Sequence, residues 1–128
     1  MTAPIIPGLN SDEIPELIKA AAEHGASTVG YTMLRLNGSV KELFRDWLFK
    51  CFPDAAEKVW HQVEESHGGQ VNDNRFGTRM RGEGKIAESV RQLFKISVKK
   101  YLKESKFPDY DYTLFRRPGS VEQMKLEF

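Results

Sequence analysis

Two β-prone segments, "TAPIIPGLN" from Thr2 and "STVGYTMLRL" from Ser27, flank a single helix-spaced run. That arrangement limits the fold more than any other feature of the chain. In the second segment Val29, Tyr31 and Met33 alternate with Thr28, Gly30 and Thr32, the period-two pattern of a strand. In the intervening "NSDEIPELIKAAAEHGA", Ile14, Leu17, Ile18 and Ala21 make one apolar helical face. Asn10 and Glu13 stand in capping-box spacing, acidic residues fill the first turn, and Gly25 occupies the C-cap position. Strand, helix and strand with short connections form a βαβ unit, with parallel strands and a right-handed crossover. Two parallel strands are not a stable sheet on their own. Helices must cover them, or further strands belong beside them. Opening a chain inside a buried-looking strand is unusual.

The rest of the chain reads as helical. Ser39 and Glu42 form a capping box ahead of a buried stripe of Val40, Leu43, Phe44, Trp47, Leu48 and Cys51, ended by Pro53. Asp54 and Glu57 cap a third helix carrying Ala56, Val59, Trp60 and Val63, and both tryptophans read as core. The long loop "SHGGQVNDNRFGTRMRGEG" follows, and loops of that length tend to be functional or disordered. From Lys85 a last helix carries Ile86, Val90, Leu93, Phe94, Val98, Tyr101 and Leu102. The tail "KFPDYDYTLFRRPGSVEQMKLEF" reads as extended, its aromatics fastening it across the surface. The expectation is an α/β chain dominated by helix, of single-domain length at 128 residues. It divides into 1–52, 53–105 with a basic loop at 67–84, and an extended tail at 106–128.

Composition excludes several function classes. A net charge of +1 gives no global case for nucleic acid or an anionic membrane, so any basic surface is local. The apolar stretches fall far short of the roughly 20 residues of a membrane span. The N-terminus lacks a signal peptide's basic region and long apolar core, and the expected location is cytoplasmic. Cys51 is the one cysteine, which rules out an internal disulfide and a cysteine-ligated cluster. Ending an apolar helical face, it reads as a buried structural thiol. His24 suits the last turn of its helix, and His61 and His67 lack partners for a metal site. No Ser-His-Asp or Cys-His arrangement stands out.

"RFGTRMRGEG", Arg75 to Gly84, is the stretch most suggestive of binding. Glycines let backbone N–H groups converge on an anion, and the following helix start adds its positive dipole. Arg75, Arg79 and Arg81 add forked donors, with Lys85 at the helix start. The stretch is neither GxxxxGK[ST] nor GxGxxG. It reads equally as a surface loop whose glycines make turns and whose arginines pair with Glu83 or helix carboxylates. In the tail, Asp109, Tyr110, Asp111 and Tyr112 form a candidate recognition patch, and Arg116, Arg117 and Lys125 lend weak support to nucleic-acid contact.

Taken together, "APIIPGLN", "VGYTMLRLNGSVKELF" and "NDNRFGTRMRGEG" resemble the C-terminal part of a spore-photoproduct-lyase-like subset of radical SAM proteins, over Met1 to about Phe94. The resemblance implies a partial (β/α) barrel in which 2–6 and 28–36 look like the fifth and sixth strands. Such proteins hold a [4Fe-4S] cluster through a CxxxCxxC motif and bind S-adenosylmethionine at its free iron site. Ile6, Pro7, Gly8 and Asn10 match the turn that packs on the adenine, although Ser11 stands where many relatives have Asp. Met33, Leu34 and Arg35 would face the same pocket. The arginine loop would lie near the barrel mouth, toward an anionic substrate or the cofactor's carboxylate. The CxxxCxxC motif and the first four strands have no counterpart here. The resemblance therefore implies a C-terminal fragment, inactive by itself, whose partner is the missing N-terminal barrel portion. No cofactor is expected on this chain alone. The alternative is a stand-alone module binding nucleic acid or another anion through the loop. An exposed strand edge would favour a homo-oligomer.

Overall fold

The computed structural model describes residues 1–102 and 109–116. The elements are β1 (Thr2–Ile5), a short 3-10 turn (Ser11–Glu13), α1 (Ile14–Glu23), β2 (Tyr31–Met33), α2 (Val40–Cys51), α3 (Ala56–Glu65) and α4 (Gly84–Tyr101). The strands pair in parallel, Thr2 opposite Tyr31 and Ile5 opposite Met33, as the βαβ pattern requires. Both are shorter than their β-prone segments. Pro4 has no N–H to give the ladder, and the register is irregular between Thr2 and Ile5.

Neighbouring residues of a strand point to opposite faces, and here each face has its own core. Ile5 and Met33 join Ile14 and Ile18 of α1 and Ala87 and Val90 of α4. Ile6, Leu34 and Leu36 turn the other way, onto Leu48 of α2 and Ala56, Val59, Trp60 and Val63 of α3. The two-stranded sheet is thus covered by helices on both sides, which answers the requirement that it not stand alone. Both clusters draw on residues before and after position 53, so the helices after α2 complete the core of the βαβ unit. Full burial of Ile14 and Ile18 contributes about 1.5–3 kcal/mol for each side chain.

Several local expectations differ from what the chain does. In α2 only Leu48 is buried, while Val40, Leu43, Trp47 and Cys51 are exposed. Phe44 and Phe49 are the partly buried residues that pack beside Leu48. The stripe is helical in period, but its core-facing line runs through Leu48 and leaves Trp47 outside, so of the two tryptophans expected in the core only Trp60, on α3, is buried. Trp47 stacks with Phe44 and Phe52 instead. Leu17 of α1 is likewise exposed. The side-chain caps do not form: Asn10 and Ser39 make no cap hydrogen bond, and Ala55 rather than Asp54 is the N-cap of α3. Gly25 does terminate α1, with its φ at +82°. In the described part of the tail, Tyr110, Tyr112, Leu114 and Phe115 are exposed, and the Tyr110 and Tyr112 rings lie against each other. Residues 106–108 and 117–128, including Arg117 and Lys125, lie outside the described residues. Among the described residues no helix is long and apolar enough to cross a membrane.

Candidate functional site

Three segments singled out in the sequence meet at the C-terminal ends of the strands. The turn after β1 is held by Asn10, whose Oδ1 accepts from the Ile6 N–H at 2.7 Å and whose Nδ2 donates to the Pro4 carbonyl at 3.1 Å. Asn10 therefore shapes the turn rather than capping α1. Ser11 contributes its Oγ as acceptor for the Gly8 N–H at 3.3 Å. Gly8 has φ at +76°, and a Cβ there would run into the Gln62 side chain of α3. The positive φ favours glycine, while the Gln62 side chain, being flexible, could turn aside. Pro7 is buried. Beside this turn, Leu34 donates its N–H to the Ile5 carbonyl at 2.8 Å. The side chains at the end of β2 then diverge. Leu34 packs on the same side as Ile6, whereas Met33 is closed into the α1–α4 core. Arg35 reaches Asn37, whose side-chain amide, turned so that its oxygen faces the guanidinium, accepts from Nη2 at 3.0 Å and donates to Asn72 Oδ1 at 2.6 Å.

The long loop lies along the outer edge of β2. Met33 donates its N–H to the Met80 carbonyl at 2.9 Å, and Leu36 to the Val71 carbonyl at 3.1 Å. His67, just past α3, sends Nε2 to the Leu34 carbonyl at 2.7 Å. A carbonyl only accepts, so Nε2 carries the proton. Nδ1 is buried without a hydrogen-bond partner, 3.7 Å from Asp73 Oδ2. The ends of the loop are clasped by the Glu83 N–H donating to the Ser66 carbonyl at 2.8 Å. Gly82 passes so close that a Cβ would stand 2.9 Å from that same oxygen.

Asp73 is the hub of the loop. Its Oδ1 accepts from the Arg75 N–H at 2.9 Å and Nε at 3.0 Å, and its Oδ2 from Arg75 Nη2 at 3.1 Å and Thr78 Oγ1 at 3.1 Å. Arg75 also donates to both oxygens of Glu83, at 2.6 and 3.3 Å. These donors, the Arg75 guanidinium first, then its backbone N–H and the Thr78 hydroxyl, hold the Asp73 carboxyl well below the usual carboxylate range. Arg75 is thus occupied with Asp73 and Glu83, the pairing that the loop reading anticipated for Glu83. Arg79 lies over the Phe76 ring, 5.8 Å from its centroid. Arg81 and Lys85 have no carboxylate within ion-pair distance among the described residues. Arg81 borders a cleft formed with Gly30, Tyr31, Arg91 and Phe94.

The structure therefore brings Ile6, Leu34 and Arg35 to one end of the sheet and divides the four basic residues among different surroundings. His61 pairs with Glu64 and lies away from His67. Among the described residues no three His, Cys, Asp or Glu side chains could hold a metal. The sequence reading missed Asp73 and the structural role of His67. Its available signal was "NDNR", an Asx-turn composition in which a side chain two residues back accepts a backbone N–H. Comparison with protein-family models, curated proteins and solved structures finds no match to this chain.

Proposed function

We propose that this chain is the end portion of a radical SAM (β/α) barrel together with the helices that close it. The observation that carries the reading is the asymmetry of the sheet. Among the described residues β1 has a strand neighbour on one side only, while the outer edge of β2 is occupied by Met80 and Val71 of the loop. In this reading β2 would be a last strand, and β1 would adjoin strands supplied from elsewhere. Ile6 and Leu34 share the face opposite α1, where they pack beside α2 and α3; in such a barrel that face would be the inner one, with α2 and α3 lying across it. Together with the Gly8 turn, Ile6 and Leu34 would form the apolar end of the adenine seat. Met33 packs outward and contributes no side chain there.

The cluster does not fit this chain. Three thiolates are needed, and the chain has one cysteine, Cys51, exposed at the end of α2. The iron–sulfur cluster and the radical chemistry would belong to the remainder of the parent enzyme. This portion would supply shape to the cofactor pocket and cover to the substrate.

The test begins in the source genome. An in-frame CxxxCxxC upstream of the Met1 codon is expected. The longer product, reconstituted anaerobically with iron and sulfide, is expected to convert S-adenosylmethionine to 5′-deoxyadenosine under strong reductant. Asn10→Ala should raise the KM for S-adenosylmethionine by loosening the turn. Absence of the motif, or a longer product that holds a cluster and leaves the cofactor intact, overturns the proposal.

A further inference from the structure

We infer that the cleft between Arg81 and Arg91 seats a nucleotide, with its ring on the Tyr31–Phe94 pair and its phosphate on Arg81. The two aromatic rings have centroids 4.6 Å apart, tilted by 45°, and form a partly exposed platform rather than a closed core pair. Arg91 and Phe94 are three residues apart on α4, so they project from the same side of the helix. Arg81 is delivered from the other side by the loop, whose path is fixed by the Met33–Met80 hydrogen bond. At Gly30 an added Cβ would meet nothing within 4 Å, and the backbone is outside the left-handed region. The glycine is therefore not required by the fold and leaves the cleft open beside the rings. The cleft measures about 320 Å³, the lower end of the range for small-ligand pockets. That suits one planar ring with its phosphate.

The charges agree with this. Arg91 is balanced by Glu88, but Arg81 has no anionic partner among the described residues. A guanidinium beside an aromatic face is the pairing that holds a phosphate while the base stacks. Arg81 also borders a second cleft with Phe76 and Arg79. Arg81 thus stands between the Tyr31–Phe94 pair and the Phe76–Arg79 pair, a mix of cation and aromatic found on surfaces that track a single strand. The same chemistry accepts a free nucleotide or one unit of a single-stranded nucleic acid. The cleft lies on the α1–α4 side of the sheet, opposite Ile6 and Leu34, so the inference does not depend on the barrel reading and can fail without it.

The test uses the full 128-residue chain and a fluorescein-labelled single-stranded 12-mer read by polarisation, with adenosine and uridine monophosphates and inorganic phosphate as competitors. Arg81→Gln is expected to weaken binding about tenfold and to lower the salt slope by about 0.7. Gly30→Val fills the cleft at an open position and is expected to weaken binding about tenfold while leaving the melting temperature unchanged. Lys41→Gln, an exposed charge-matched change on α2, should have no effect. If the monophosphates compete at the concentration that binds, the site takes free nucleotide; if only the strand binds tightly, it takes one unit of a strand. Either result with both variant effects supports the site. Inorganic phosphate competing as well as the monophosphates removes the ring seat and overturns it. So does binding unchanged by Gly30→Val and Arg81→Gln, or no binding of any ligand at low salt.

Discussion

Gly82→Ala and Gly77→Ala together measure how tightly the arginine loop is fastened. Both glycines have positive φ, +69° and +95°, where an L-residue costs about 1–2 kcal/mol. They differ in what surrounds them. A Cβ at Gly77 meets nothing within 4 Å, whereas one at Gly82 stands 2.9 Å from the Ser66 carbonyl oxygen and 3.0 Å from Ala87 Cβ. Neither neighbour is the free end of a flexible side chain. Relief means moving the oxygen that accepts the Glu83 N–H, and losing that hydrogen bond costs about 0.5–1.5 kcal/mol more. The expected destabilisation is therefore about 1–2 kcal/mol for Gly77→Ala and about 2–3 kcal/mol for Gly82→Ala. At roughly 4 °C per kcal/mol for a chain of this size, the melting temperatures fall by about 4–8 °C and about 8–12 °C respectively. Thermal melts followed by circular dichroism, with urea titrations for the free energies, give both numbers. Equal shifts in the two variants would refute the clasp between Ser66 and the loop.

Leu48→Ala should cost about 2–5 kcal/mol and Leu43→Ala less than about 0.5 kcal/mol, because Leu48 is fully buried and Leu43 is 69% exposed; denaturant titration of both decides whether the core line of α2 is drawn correctly. The Asp73 carboxyl is depressed in the folded chain, so its stabilisation is complete above the unfolded value of about 4 and is lost as the pH falls below it. Asp73→Asn should accordingly be less stable at neutral pH yet lose less between about pH 4 and pH 2 than the unaltered chain, as read from urea midpoints at each pH; parallel curves would remove Asp73 from the loop's ion-pair hub. Cys51 is exposed, so the native chain should react with one equivalent of a thiol reagent such as dithionitrobenzoate at the rate of the denatured chain, and strong protection would show that α2 is covered.

The βαβ unit was legible because period-two and helical patterns each occur once, in order, with short connections. The α2 stripe was legible as a helix but not in its orientation. Val40, Leu43, Trp47 and Leu48 are all apolar, and only the position of α3 decides that Leu48 turns inward. Side-chain caps failed for a related reason, since Asn10 has two hydrogen-bonding ends and the strand-to-helix turn engages both. In the loop, the Arg75–Glu83 pair was foreseeable from their closeness in sequence. The neighbourhood of Arg81 was not, because Tyr31 and Phe94 are far apart in the chain and meet only through the packing of α4 on β2.

The unequal edges of the sheet also govern how copies of the chain could assemble. With Met80 and Val71 holding the N–H groups at the far side of β2, strand addition has β1 alone to work with. A molecule with one sticky side and one blunted side cannot pass growth along. Two such molecules joined edge to edge about a twofold axis exhaust their valence in a closed pair of four strands, and no surface is left for a third. In any edge-to-edge pairing of copies the loop would thus act as a chain terminator as well as a carrier of arginines, and opening it would free a second edge for strand addition.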